Sequence, residues 1–142
     1  MEITLKDADG KKTNFSFKKE ERLCSKKISE NLFANGSSFL AFPLKFVYHE
    51  TELPINVPVQ AAFSVGKKKF KKAVQRNFIK RRIREAYRLN KHFLYNNLNA
   101  RQLAVFIIFI GKEMPDYMLV ESAMKKGINK LINEFPIKNL PE

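Results

Sequence analysis

Acidic residues are scarce in this sequence: 14 Asp and Glu stand against 27 Lys and Arg, a formal net charge of +13 over 142 residues. A chain so charged resists compaction until a polyanion or counterions screen it, so an anionic partner is expected. Cysteine is almost absent too. The lone Cys24 excludes an intrachain disulfide and suits a reducing compartment, which makes the cytoplasm the expected location. The 5 glycines do not form the phosphate-cradling loop of nucleotide hydrolases. Long apolar runs are missing as well: the longest, Leu103 to Ile110, falls well short of the roughly 18 to 20 residues that cross a bilayer. Met1-Glu2-Ile3-Thr4-Leu5-Lys6-Asp7 lacks the charged lead, apolar stretch and cleavage site of a secretory signal, so export is not expected. The 2 histidines, His49 and His92, have no Cys or carboxylate at metal-ligand spacing, and no metal site is expected on the protein. Cys24 has neither an adjacent histidine nor an elbow motif, which leaves it a structural thiol. No catalytic residue is expected.

What is present suffices for one modest core, since 44% of residues are hydrophobic and 13 are Phe. A single domain over 1–142 is expected. Residues 1–18 are polar and contain Asp9-Gly10, which predicts an extended arm or a short hairpin. Residues 136–142, opening on Pro136, read as a C-terminal tail. Ser25 is placed to cap a first helix with Ile28 and Leu32 one turn apart, and Asn35-Gly36 supplies a left-handed stop. From Phe39 to Tyr48 the alternation of Leu44, Phe46 and Tyr48 with Lys45 and Val47 predicts a half-exposed strand, with Pro43 at an edge or bulge. Val59 to Val65 reads as a second strand, expected to pair with the first as a hairpin. Leu103 to Ile110 reads as a third strand, buried on both faces.

The clearest helix spans residues 70–94. At roughly 100° per residue, Ile79, Ile83, Ala86, Tyr87 and Leu94 share one arc, and Asn77, Lys80, Arg81, Arg84, Arg88 and Lys91 share the next. A last helix opens at Asp116 as its cap and buries Val120, Met124, Ile128, Leu131 and Ile132. The order helix, strand, strand, helix, strand, helix makes an α+β chain, a small α/β sandwich with helices packed on a sheet. General handedness rules make the crossover from the second strand to the third right-handed.

Charge concentrates where this helix begins. Lys67, Lys68, Lys69, Lys71, Lys72, Arg76, Lys80, Arg81, Arg82, Arg84, Arg88 and Lys91 gather nearly half of the 27 basic residues, with Glu85 as their one acid between Gly66 and Lys91. Solvated helix faces ordinarily mix signs so that i,i+4 pairs form, so an unmixed stripe points to nucleic acid. The loop Gly66 to Lys72 feeds the helix start, where lysines and backbone N–H groups are able to share an anion; a solvated loop is the plain alternative. Asn77 reads either as a ligand contact or as a helix cap. Phe33, Phe39, Phe46 and Tyr48 are candidates for stacking unpaired bases, weighed against ordinary core roles. An anionic-membrane binder is the competing class, and it requires bulky apolar residues beside the lysines on an exposed helix face.

The run Lys72-Ala73-Val74-Gln75-Arg76-Asn77-Phe78-Ile79-Lys80-Arg81-Arg82-Ile83-Arg84-Glu85-Ala86-Tyr87-Arg88 resembles the signature helix of bacterial ribonuclease P proteins. That signature is an alanine-valine pair, one variable residue, Arg-Asn, then Lys-Arg and Arg-Glu at fixed offsets. Arg22-Leu23, Phe33 with Asn35-Gly36, and Phe63-Ser64-Val65 extend the resemblance from about Lys18 to Phe135. It implies a left-handed crossover through the long helix, in place of the right-handed one. It also implies that Arg76, Asn77, Lys80, Arg81 and Arg84 match the motif that contacts the family's catalytic RNA, with Lys67, Lys68 and Arg88 extending that surface. A cleft between this helix and the sheet would hold the single-stranded 5′ leader of precursor tRNA, walled by aromatics of helix one and strand one. Phe33 matches one such position.

The implied function is that of a ribonuclease P protein subunit, which binds the catalytic RNA and the leader while the RNA, with Mg2+, carries the chemistry. No membrane and no obligatory protein partner are implied. Three departures stand out: Ser29 beside Ile28 where many members carry an aromatic, a lysine loop one residue longer than usual, and additions at residues 1–18 and 52–58.

Overall fold

Apolar residues sort onto the two faces of one sheet, and the helices divide between those faces. The computed structural model describes residues 4–6, 12–14, 16–98 and 100–135. β1 (Thr4–Lys6) and β2 (Lys12–Asn14) pair antiparallel, with Leu5 opposite Thr13, so a short hairpin forms near the N-terminus. Its Asp9-Gly10 turn lies outside the described residues, as does the tail from Pro136. A 3-10 turn at Lys19–Glu21 leads into α1 (Lys26–Asn35), where the Ser25 hydroxyl accepts from the Ile28 N–H at 3.2 Å. Gly36 ends α1 without the expected left-handed backbone, at φ −77. Glycine is required there for space: a Cβ would overlap the Leu32 carbonyl and approach the Tyr48 carbonyl to 2.8 Å.

The run expected as one strand from Phe39 to Tyr48 is two strands. β3 (Ser37–Ala41) reverses at Phe42-Pro43, a cis peptide, into β4 (Leu44–Glu50), with Phe39 opposite Phe46. β5 (Val59–Val65), α2 (Ala73–Tyr95), β6 (Leu103–Phe109) and α3 (Tyr117–Glu134) follow. The sheet order is β3-β4-β6-β5. β6 runs antiparallel to β4 and parallel to β5, so the expected pairing of the second strand with the first does not occur. The reason lies in composition: Leu-Ala-Val-Phe-Ile-Ile-Phe is apolar throughout, and such a strand is best satisfied in the centre, with both edges paired. β5, α2 and β6 thus form the parallel crossover unit.

On one face, Leu44, Phe46, Ala61, Leu103, Val105 and Ile107 pack against α2 and α3. The expected arc of α2, Ile79, Ile83, Ala86, Tyr87 and Leu94, is buried there, as are Val120, Met124, Ile128 and Leu131 of α3; Ile132 is half-buried. The other face carries Val47 and Ala104 under Leu23 and Leu32, with Phe106 and Ile108 only partly covered. β6 is therefore not fully buried on both faces. The Asp116 carboxylate caps α3, accepting from the Leu119 N–H at 2.8 Å. Gly127 lets α3 descend onto β4, since a Cβ there would overlap the Phe46 ring. Gly127→Ala is expected to cost about 1–3 kcal/mol through overpacking, read as a Tm lower by several degrees in thermal denaturation; an unchanged Tm would contradict this packing.

Candidate nucleic-acid interface

The buried arc of α2 fixes the helix's rotation and so decides where its cations go. Asn77, Arg81 and Arg84 are exposed and Lys80 is half-buried. Among the described residues, no carboxylate forms an ion pair with Lys80, Arg81 or Arg84. Asn77 lies beyond the first turn, while Lys72 takes the N-cap position, so capping is not its role. With Phe63 of β5, these four side chains line a pocket of about 350 Å³. Its lining is mostly apolar, as a phenyl ring beside the aliphatic stems of Lys and Arg would make it.

The lysine loop is a braced element. Arg76 Nη1 donates to the carbonyls of Phe70 at 2.7 Å and Lys71 at 2.8 Å. Phe70 is buried, its ring 5.8 Å from that of Phe109, and Lys69 Nζ donates to the Ile110 carbonyl at 3.3 Å. Lys67, Lys68 and Lys71 are exposed around this anchor. Arg76, expected as an RNA contact, is occupied in holding the loop.

Two further cations of the expected stripe are engaged by carboxylates. Arg88 forms a two-pronged pair with Glu85, Nε to Oε2 at 3.0 Å and Nη2 to Oε1 at 2.6 Å. The bond from Arg88 holds the Glu85 carboxyl below the usual carboxylate range and raises the guanidinium in turn. Lys91 is 3% exposed and is not part of the surface. Its ammonium meets Glu21 Oε1 at 2.5 Å and also donates to the Ser16 carbonyl. Burial pulls the Lys91 ammonium below its ordinary value, and the bond to Glu21 opposes that. The Tyr95 hydroxyl donates to the same Glu21 oxygen at 2.7 Å. This network lays residues 16–21 over the C-terminal half of the stripe, where Phe17 packs 5.6 Å from both Phe63 and Tyr87.

The four aromatic candidates do not come together. Phe33 projects from α1 over the partly covered face, 54% exposed, its ring 5.0 Å from that of Phe106. Phe39, Phe46 and Tyr48 lie on the opposite face, under α3. Phe46 is fully buried, Tyr48 is buried against Phe135, and Phe39 stacks on Phe46 at 5.1 Å. As placed here, Phe46 and Tyr48 present no ring to a ligand. Two side chains escaped the sequence reading. Phe106 lies in an apolar run whose pattern predicts a strand buried on both faces. Phe63 gains its importance from the edge position of β5, which strand composition does not reveal. Among the described residues, no three His, Cys, Asp or Glu side chains gather as a metal site, and no helix is long and apolar enough to cross a membrane.

A family model described as Ribonuclease P matches residues 17–132. The chain belongs to the ribonuclease P protein family. Among its relatives, the ribonuclease P protein component of Porphyromonas gingivalis is 38% identical over 124 residues, covering 86% of this chain and 90% of the relative. That of Chlorobium phaeobacteroides is 29% identical over 137 residues, covering 88% and 91%. The fold is shared with the RNase P protein of Staphylococcus aureus, with a TM-score of 0.62 at 18% identity over 81% of this chain and 97% of the other. It is shared too with the Thermotoga maritima RNase P protein in complex with 1-(4-fluorophenyl)-2-thiourea, with a TM-score of 0.58 at 23% identity over 78% and 97%. Ribonuclease P membership places the chain in tRNA processing, as a protein component of an endoribonuclease.

Reversing both exposed charges, Arg81→Glu with Arg84→Glu, is expected to leave the fold intact. Neither side chain is buried, and neither is ion-paired among the described residues. Affinity for the ribonuclease P RNA should fall tenfold or more, about 1.4 kcal/mol at least, with a salt slope lower by roughly one unit for each phosphate no longer held. Filter binding across a salt series reads both quantities, and parental affinity would refute the role given to this face.

Proposed function

We propose that the protein binds the catalytic RNA subunit of ribonuclease P and the 5′ leader of precursor tRNA, assisting endonucleolytic release of the leader. The observation that carries this reading is the α2 face from Asn77 to Arg84, cationic and, among the described residues, free of carboxylate pairing. Arginine forks hold phosphates with two hydrogen bonds and stack on bases. The braced lysine loop continues the positive surface beyond the helix start. On the far side of the sheet, Phe33 over Phe106, with Ile108 and Lys45 alongside in the register of β4 and β6, gives single-stranded RNA an aromatic and aliphatic floor.

In this reading the protein supplies positive potential and a single-strand surface. The RNA supplies the reacting metal environment, with Mg2+ held on RNA oxygens, the hard ligands it prefers. The chain works in the cytoplasm with its RNA partner and needs no second protein. A general RNA-binding protein with the same basic helix is separated from this reading by one activity. Purified protein added to the cognate RNA at low Mg2+ is expected to restore 5′ trimming of precursor tRNA, and no restoration would overturn the proposal. With about five to eight phosphates neutralised, log affinity should fall by about 0.7–0.9 per contact for each decade of salt.

Val74 and Phe78 are exposed on α2, at 80% and 40%, the feature a membrane-surface reading requires. Phe78 is covered by the Arg82 guanidinium, 4.4 Å from its ring centre, so the apolar patch is small. Sedimentation with anionic phosphatidylserine vesicles at physiological salt should leave the protein in the supernatant; salt-resistant pelleting would favour the membrane.

A further inference from the structure

The pocket between β5 and α2 sets one aromatic ring among cations. Among the described residues, Phe63, Asn77, Lys80, Arg81 and Arg84 line it. The lining joins one aromatic ring to one amide and three cations, so a bare phosphate would leave the Phe63 ring and the aliphatic stems unused. At about 350 Å³ the space sits near the lower end of the roughly 300–1,000 Å³ typical of small-molecule sites, enough for one nucleotide and too little for a run of them.

From this mismatch we infer that the pocket takes a single unpaired nucleotide of the bound RNA, its base against the Phe63 ring and its flanking phosphates on Lys80, Arg81 and Arg84. The inference rests on the RNA-binding reading above and gives that surface a base-recognising centre. An aromatic ring stacks any base, while a primary amide offers both a donor and an acceptor to a base edge. Asn77 is the group able to make binding depend on which base enters. Phe63 is held ready: Phe17 and Tyr87 each lie 5.6 Å from it, and the Glu21–Lys91–Tyr95 network fixes the segment that carries Phe17. A ring already immobilised loses little freedom on binding.

The test uses the full-length protein, the ribonuclease P RNA, and a short single-stranded RNA carrying one 2-aminopurine. Stacking on Phe63 should quench the 2-aminopurine fluorescence. Phe63→Leu keeps an apolar filler but removes the π face. It is expected to abolish the quenching and weaken binding of the ribonuclease P RNA roughly five- to hundredfold, with the salt slope unchanged because no cation is lost. Asn77→Ala removes an exposed side chain, so folding is preserved. It should erase differences in affinity among oligonucleotides that differ only at the test base, and it decides the question alone if Phe63→Leu does not fold. Unchanged quenching and unchanged base preference in these variants, with weakened binding by the Arg81→Glu/Arg84→Glu protein, would overturn the pocket while leaving the RNA-binding reading in place. If the charge-reversed protein also binds as the parent does, both fall. Competition by inorganic phosphate equal to that by adenosine monophosphate would likewise overturn the pocket, because no base would then be recognised.

Discussion

Burial of one arc of α2 against the sheet holds a row of like charges in register. Ile79, Ile83, Ala86, Tyr87 and Leu94 are all buried, and each large apolar side chain removed from water is worth about 1.5–3 kcal/mol. Exposed cations about 4 Å apart in water repel by only about 1 kcal/mol, and salt screens that further. The oily arc therefore wins comfortably. Rotation of the helix is settled by its core side, and the cations must take the side that remains. Their alignment along β5 is a consequence of packing rather than of any attraction among themselves.

The far end of the stripe is governed by a different force. Lys91 falls on the same arc as Arg84, yet it is sealed by Glu21, the Ser16 carbonyl and the neighbouring Tyr95. Desolvating two charges costs several kcal/mol per ion, so such a pair need not add net stability. What it does impose is position, because either partner left alone would be a buried unpaired charge. Residues 16–22 are pinned across α2, with the Leu23 N–H donating to the Ala61 carbonyl at the edge of β5 at 2.9 Å. The open cationic surface consequently ends near Arg84, and the Phe17–Phe63–Tyr87 cluster forms the boundary.

Local rules were enough for the helix starts and buried faces, though not for the backbone of the stop at Gly36. The caps at Ser25 and Asp116, the buried arc of α2 and four of the five expected core residues of α3 follow from periodicity and hydrogen-bonding chemistry within a few residues. Strand arrangement was less legible. The reversal at Phe42-Pro43 lies inside an aromatic-rich run whose composition is the same on either side of the turn. Parity left the wet face of β4 undecided because Val47 is buried under α1 just as Phe46 is buried under α3, while Lys45 and His49 on the Val47 side stay half-exposed. Phe46 and Tyr48 were thus readable as strand residues but not as core. Lys91 was misplaced for another reason, since its partner Glu21 is distant in the chain. Arg76 was legible as a motif residue, but its bonds to the loop carbonyls depend on a turn whose path the sequence does not specify.

If two RNA segments share this protein as proposed, the separation of the aromatic surfaces bears on how they do so. Phe33 and Phe106 lie on the α1 side of the sheet, whereas Phe63 and the α2 cations lie on the other. On the proposed reading, the RNA subunit and the leader approach from different sides of β5 and need not displace one another. Cations supply affinity that is salt-dependent and indifferent to sequence, so that component is available to both strands. Discrimination must then come from the few places where a base meets an aromatic ring or an amide, and those places sit apart on the fold. A polyanion that binds only the folded chain also stabilises it, offsetting the repulsion along α2. On the proposed reading, the same charge thereby couples the protein's stability to the presence of its partner.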